Sequence, residues 1–212
     1  MKEKEAAQDN TRETQQKNIF GFGAIKHSRD AKYDAYYKMP IDFKTRNVLK
    51  SGGVSTKRKF KMQTFQDWEN TLLVISDYEN ASQIKDSHWL VFPEALLEWR
   101  DYQKEKLLYN QRASYYPLSG VENLKKLLLD NNLWNKNEDH DVLFEQFTAQ
   151  AHLNDPRIPN KLFKTHGKEI SINRKTVLTA HPEWFIKVPC NINKKTFLRN
   201  KIESYKSWKE AK

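Results

Sequence analysis

The chain lacks the features that would assign it to several large classes. It has a single cysteine, Cys190, which excludes an intramolecular disulfide framework and a cysteine-rich zinc site. No apolar run approaches the roughly 20 residues that a membrane-spanning helix needs. The N-terminal stretch MKEKEAAQDNTRETQQKN has no apolar centre, so it does not read as a secretory signal, and a cytoplasmic protein with no membrane partner is expected. There is no internal repeat or low-complexity tract. Acidic residues are also scarce, with 27 Asp and Glu against 37 Lys and Arg, a formal net charge of +10 and a pI near 9.5. A surplus of that size attracts polyanions, and nucleic acid is the commonest polyanion a soluble protein meets.

What is present is enough to fold. The 212 residues are 38% hydrophobic and 12% aromatic, with eleven Phe and six Trp. This suits one domain with a real core rather than a disordered chain. Residues 1–18 form a polar arm or solvated helix, and 19–212 a single α/β domain. In that domain a mixed central sheet is expected over about 19–112, followed by a helical and loop-rich part over about 113–212.

The pattern along the chain supports that division. YDAYY at 33–37 and IDFKTRNV at 41–48 are β-prone and aromatic-rich, and Lys38-Met39-Pro40 between them marks a turn, so they read as a hairpin. TLLVISDY at 71–78 has the continuous apolar run of a strand buried on both faces, and HWLVF at 88–92 is a second such run. Pro93 and Glu94 follow at once and suit a first helical turn, so a helix is expected from Pro93 to about Arg112. Ser119 to Glu122 reads as a capping box, and a further helix is expected to carry DVLFEQFTAQA. LNDPRIPNKLFKTHG, with two prolines and a glycine, reads as a long loop. KTVLTA and EWFIKV are β-like. Phe197, Leu198, Ile202, Tyr205 and Trp208 fall at spacings of three and four and form one stripe of a closing helix.

The hairpin carries the most pointed chemistry. Side chains two apart on a strand share a face, so Asp42 and Lys44 stand together while Phe43 points the other way into the core. Asp34 on the first strand lies opposite 42–44. Two carboxylates that close repel each other unless a cation sits between them. A hard divalent cation such as Mg²⁺ prefers oxygen ligands and keeps waters in its other positions. An adjacent lysine orients or deprotonates a metal-bound water and stabilises charge building on a phosphate.

Asp34, seven residues, then Asp42-Phe43-Lys44 resembles the PD-(D/E)XK nuclease motif, and the strand order that follows is similar to the core of type II restriction endonucleases. Tyr33 stands where the motif has proline, and the spacing leaves Asp30 open as an alternative first acid. The resemblance implies that Asp34 and Asp42 hold Mg²⁺ with the backbone carbonyl of Phe43, and that Lys44 assists the attacking water. It further implies a sequence-specific endonuclease acting on double-stranded DNA as a homodimer, with a cognate DNA methyltransferase as functional partner. A repair, resolvase or transposon-type nuclease with the same core, or a non-catalytic DNA-binding module, are the alternatives.

The segment after the hairpin fits that substrate. Between Asp42 and Asp67 stand seven basic residues, Lys44, Arg46, Lys50, Lys57, Arg58, Lys59 and Lys61, with no acidic one and with Gly52-Gly53 among them. Such a loop is expected to lie along phosphates. Asn154, Arg157 and Asn160 in the proline-rich stretch are residue types that read base edges in the major groove. Trp89, Trp99 and Trp184, having apolar neighbours, are expected in the core rather than stacked on bases. Asp77 and Glu94 follow the strands nearest the hairpin and are candidates to support it from behind.

Overall fold

The computed structural model describes residues 2–23, 33–49, 53–55, 67–79, 83–106 and 157–212. The hairpin forms as expected, from β1 (Ala35–Tyr36) and β2 (Pro40–Asn47), with Ala35 opposite Ile41. Its turn places Lys38 in the left-handed region at φ 54°, and the Tyr37 amide donates to the Met39 carbonyl at 3.1 Å. Downstream come β4 (Leu72–Tyr78), β5 (Ile84–Val91) and β9 (Phe185–Val188). The central five-stranded sheet runs β1-β2-β4-β5-β9. β2 and β4 are parallel and the other neighbours antiparallel, so the sheet is mixed. Two small sheets accompany it, β3 (Val54–Ser55) with β6 (Arg157–Ile158), and β7 (Glu169–Ile172) with β8 (Lys175–Leu178).

β4 is central because it is apolar on both faces. Leu72, Val74 and Ile75 are fully buried, and each contributes on the order of 1.5–3 kcal/mol relative to exposure. Helix α1 (Lys2–Ile19) covers one face of the sheet. Phe20, just past its end, meets Phe43 at 6.3 Å and His88 at 5.4 Å between ring centroids. The N-terminal arm is therefore a helix docked on β2 and β5. A 3-10 turn over Pro93–Leu96 leads into helix α2 at 97–106. Helix α3 (Asn160–Lys164) and helix α4 (Lys194–Glu210) complete the described helices. Phe163 of α3 packs on Trp89 at 5.5 Å, on the face opposite α1. α4 buries Leu198, Ile202 and Tyr205 of the expected stripe, with Phe197 and Trp208 at its margin. Its N-cap Asn193 accepts from the Thr196 amide, which satisfies a donor the first turn leaves open.

The sequence expectation fails at several places. The element after HWLVF starts as a 3-10 turn, because the Ala95 amide bonds back to Phe92 rather than into an α-turn. LNDPRIPNKLFKTHG is not simply a loop, since β6 and α3 lie in it. Pro159 takes an extended conformation at the N-cap of α3, where its missing N–H costs nothing. The central sheet is also not confined to residues before 112, because β9, formed from the β-like EWFIKV, joins it beside β5. The end of the helix near Arg112 and the expected helices between 119 and 150 lie outside the described residues.

Candidate functional site

Asp34, Asp42 and Lys44 converge. The Asp34 amide donates to the Ile41 carbonyl at 3.1 Å, and its carboxylate oxygen Oδ2 accepts from the Phe43 amide at 2.7 Å. This clips the residue before β1 onto the middle of β2. The Lys44 Nζ lies 2.6 Å from Asp42 Oδ1, and both side chains retain 23% exposure, so a small ligand reaches them from solvent. Phe43, between them, is 5% exposed and faces the core. The alternation that placed the acid and the lysine on one side of the strand holds.

The electrostatics of this group are unusual. Burial pushes the Asp42 carboxyl up from 3.8 to about 7, Lys44 opposes the rise, and the adjoining carboxyl of Asp34 adds to it through a hydrogen bond and repulsion. Burial pulls Lys44 down, but Asp42 first, then Asp34 and Glu13, outweigh it, and the ammonium is held above its ordinary value. A cation beside the two acids would offset both the burial of Asp42 and the repulsion from Asp34. The oxygens of Asp34, Asp42 and the Phe43 carbonyl are a donor set for a hard cation. Among the described residues no group of three or more His, Cys, Asp or Glu side chains is placed to hold an ion. A cation placed between Asp34 and Asp42 would meet two carboxylates and would need water or other oxygens for its remaining positions.

α1 contributes residues that the sequence reading missed. Gln16 is fully buried, and its Nε2 reaches the Lys44 carbonyl at 2.8 Å, the Val74 carbonyl at 3.2 Å and Ser76 Oγ at 2.9 Å. Ser76 Oγ in turn pairs with His88 Nδ1 at 2.8 Å. Gln16 thus pins the backbone of the lysine-bearing strand from behind. Glu13, one turn earlier, lies near enough to raise Lys44. A polar helix of low apolar content gives no signal that one of its glutamines is buried. Only the pairing geometry reveals it.

Arg46, on the same side of β2 as Asp42 and Lys44, is turned inward. It is 8% exposed, and its guanidinium grips Asp77 through Nε to Oδ1 at 2.6 Å and NH2 to Oδ2 at 2.8 Å. Ser87 Oγ also donates to Asp77, at 2.7 Å. The Arg46 guanidinium lies 4.1 Å from the Phe163 ring centroid, and its NH1 reaches Asn160 Oδ1 at 3.5 Å. Arg46, expected on phosphates, is instead a buried fastener between β2, β4 and α3, with Asp77 as its supporting carboxylate. Asn160 makes its described contact with Arg46 and is half-buried. Arg157 is exposed on β6, paired in register with Ser55 of β3. The segment following the glycine pair and the segment carrying Arg157 are thus neighbours.

Lys50, Lys57, Arg58, Lys59, Lys61 and Asn154 lie outside the described residues, as does Asp30. Trp89, Trp99 and Trp184 are core residues, at 3%, 2% and 8% exposure. Glu94 accepts from the Tyr205 hydroxyl and pairs with Lys209 at 3.3 Å, so it ties α4 to the 3-10 turn rather than supporting the hairpin. No helix among the described residues is long and apolar enough to cross a membrane. No family model matches the chain, and no curated protein is significantly similar to it.

Proposed function

We propose that the protein is a Mg²⁺-dependent endonuclease of double-stranded DNA, of the site-specific restriction type, and that it acts as a homodimer alongside a cognate methyltransferase. The observation that carries this reading is the convergence of Asp34, Asp42 and Lys44 at the hairpin, with Asp42 pushed up to about 7 by burial and by a neighbouring acid. Asp34 and Asp42, with the Phe43 carbonyl, would hold the ion. Bound there, Mg²⁺ supplies Lewis acidity and a water of lowered pKa.

Lys44 remains an ammonium at neutral pH because its carboxylate neighbours outweigh burial. It therefore orients the attacking water and stabilises charge on the phosphate rather than removing a proton. Gln16 and Arg46 hold β2 from its two faces, which keeps the reacting groups in register. The net charge of +10 draws DNA to the protein. One chain supplies one such site, and cutting both strands calls for two, hence the dimer.

The close Lys44–Asp42 ion pair also favours a second reading, a DNA-binding module whose acidic cluster is closed internally. Incubating the protein with mixed-sequence plasmid and Mg²⁺, then sequencing fragment ends, separates the readings. Discrete ends support the site-specific nuclease, a smear points to a repair or resolvase type, and intact plasmid in both Mg²⁺ and Mn²⁺ favours the binding module.

A further inference from the structure

Residues 157–178, RIPNKLFKTHGKEISINRKTVL, carry six basic side chains and a single acid, Glu169. Lys161 already neutralises that acid at 3.1 Å. The second half of the segment is the β7–β8 hairpin, which pairs with itself and stands apart from the central sheet. Its two-residue turn, Asn173-Arg174, has φ 48° and 64° at successive positions, the twist-matched turn that suits a tight hairpin.

The ribbon is held at both ends. At its base the Thr179 amide donates to the Lys168 carbonyl at 3.0 Å and the Thr179 hydroxyl to the Gly167 carbonyl. At its tip Tyr102 of α2 donates to Asn173 Oδ1 at 2.6 Å. Ile170 is buried, and Ile172 and Val177 pack on the core from the same side. The other side of the ribbon carries Ser171 and Thr176, opposite each other and both exposed, and Leu178 at 75% exposure opposite Glu169, the acid that Lys161 holds, while Lys175 stands exposed near the turn across from Ile172.

Its position relates it to the site already described. The preceding helix α3 packs Phe163 against Arg46, and Arg46 shares its side of β2 with Asp42 and Lys44. His166, in the turn before the ribbon, lies 5.4 Å from the Trp89 ring on the same side of the sheet. The ribbon and the carboxylates therefore belong to one side of the sheet.

We infer that the β7–β8 ribbon enters the major groove of duplex DNA, with Arg174 and Lys175 on phosphates and Ser171, Thr176 and Leu178 against base edges. The inference rests on the nuclease reading for its target and on the ribbon's own charge and shape for its partner. A two-stranded ribbon fits a groove about 12 Å wide, hydroxyls of Ser and Thr bond either donor or acceptor edges, and an exposed apolar side chain suits a thymine methyl. A fixed ribbon also enters the groove without losing much conformational freedom.

The test uses the full chain in metal-free buffer, so that cleavage plays no part. Fluorescence anisotropy with mixed-sequence duplex DNA across a salt series compares the wild type with Arg174→Ala/Lys175→Ala. The expected result is weaker binding and a log–log salt slope flatter by about 1.8, at about 0.9 for each lost phosphate contact. A control with the same charge loss on α4, Lys201→Ala/Lys206→Ala, is expected to keep the wild-type slope; an equal flattening there would overturn the assignment to the ribbon.

Selection from a randomised duplex pool should return a different preferred sequence for Ser171→Ala/Thr176→Ala, and an unchanged preference overturns base reading by the ribbon. Tighter binding of duplex RNA than of duplex DNA also overturns the proposal, because the RNA major groove is too narrow to read. A wild type that binds duplex DNA but never cuts it with Mg²⁺ removes the nuclease reading, and the ribbon still stands if the slope flattens. A protein that cuts while Arg174→Ala/Lys175→Ala keeps full affinity and slope removes the ribbon and leaves the nuclease in place.

Discussion

Asp34 has two tasks that a single substitution separates. It accepts from the Phe43 amide at 2.7 Å and supplies charge beside Asp42. Asp34→Asn keeps an acceptor for that amide, so the variant should melt near the wild type while losing Mg²⁺ affinity in calorimetry; a variant that binds Mg²⁺ normally would remove Asp34 from the metal site. Asp42→Ala should abolish cleavage and Mg²⁺ binding together. Lys44→Ala should abolish cleavage yet leave Mg²⁺ binding largely intact, because an ammonium is not a ligand. The Asp42 carboxyl is also expected to report on pH. Its folded value, about 7, lies above the ordinary 3.8, so its contribution to stability is full below pH 4 and is lost as the pH rises toward 7. The metal-free wild type should therefore lose melting temperature between pH 4 and pH 7 more steeply than Asp42→Asn. Mg²⁺ binding, which requires the carboxylate, should strengthen over the same interval and release a proton.

Two elements brace the strand that carries the site, and they differ in kind. α1 does so through Gln16, a neutral amide among buried acceptors. Gln16→Ala should cost about 1–3 kcal/mol in urea unfolding, the usual range for leaving buried polar groups short of a partner. α3 does so through Arg46, whose charge is buried against Asp77. Removing one member of a buried ion pair typically costs about 3–5 kcal/mol, while replacing both with apolar residues costs far less. Asp77→Leu should be severe and Arg46→Met/Asp77→Leu milder, and the cycle completed with Arg46→Met gives their coupling energy.

These braces were the least legible features in the sequence. The hairpin, the buried run of β4 and the stripe of α4 each follow from a local period, and period-two alternation sufficed to put Asp42 and Lys44 together. Gln16 lies 28 positions from Lys44 and Asn160 lies 114 from Arg46, and no local pattern encodes such pairings. Arg46 shows the same limit, because a basic residue in a basic run reads as surface until its carboxylate partner is found across the sheet. β7 was missed for a smaller reason. Its turn is Asn-Arg, without the glycine that signals a hairpin.

At the scale of the whole molecule the charge surplus dominates. Replacing Lys57, Arg58 and Lys59 with alanine should weaken binding to all DNA sequences alike and flatten the salt dependence, whereas the outward hydroxyls of β7–β8 should alter sequence preference at constant salt slope. An unchanged slope in the triple variant would remove the 44–61 segment from the phosphate contacts. The dimer is checked on the same material. At low enzyme concentration plasmid should accumulate as nicked circles before it becomes linear, if two chains are needed for two cuts.

The place of β9 in the sheet has a consequence for how the protein comes into being. The strand beside β5 is Phe185–Val188, so at a synthesis rate of about 5–20 residues per second the hairpin leaves the ribosome roughly 7–30 s before its sheet can close. During that interval β5 presents Trp89, Leu90 and Val91 along an unpaired edge, the kind of edge that recruits other chains. A message truncated before codon 185 is therefore expected to yield an aggregation-prone fragment.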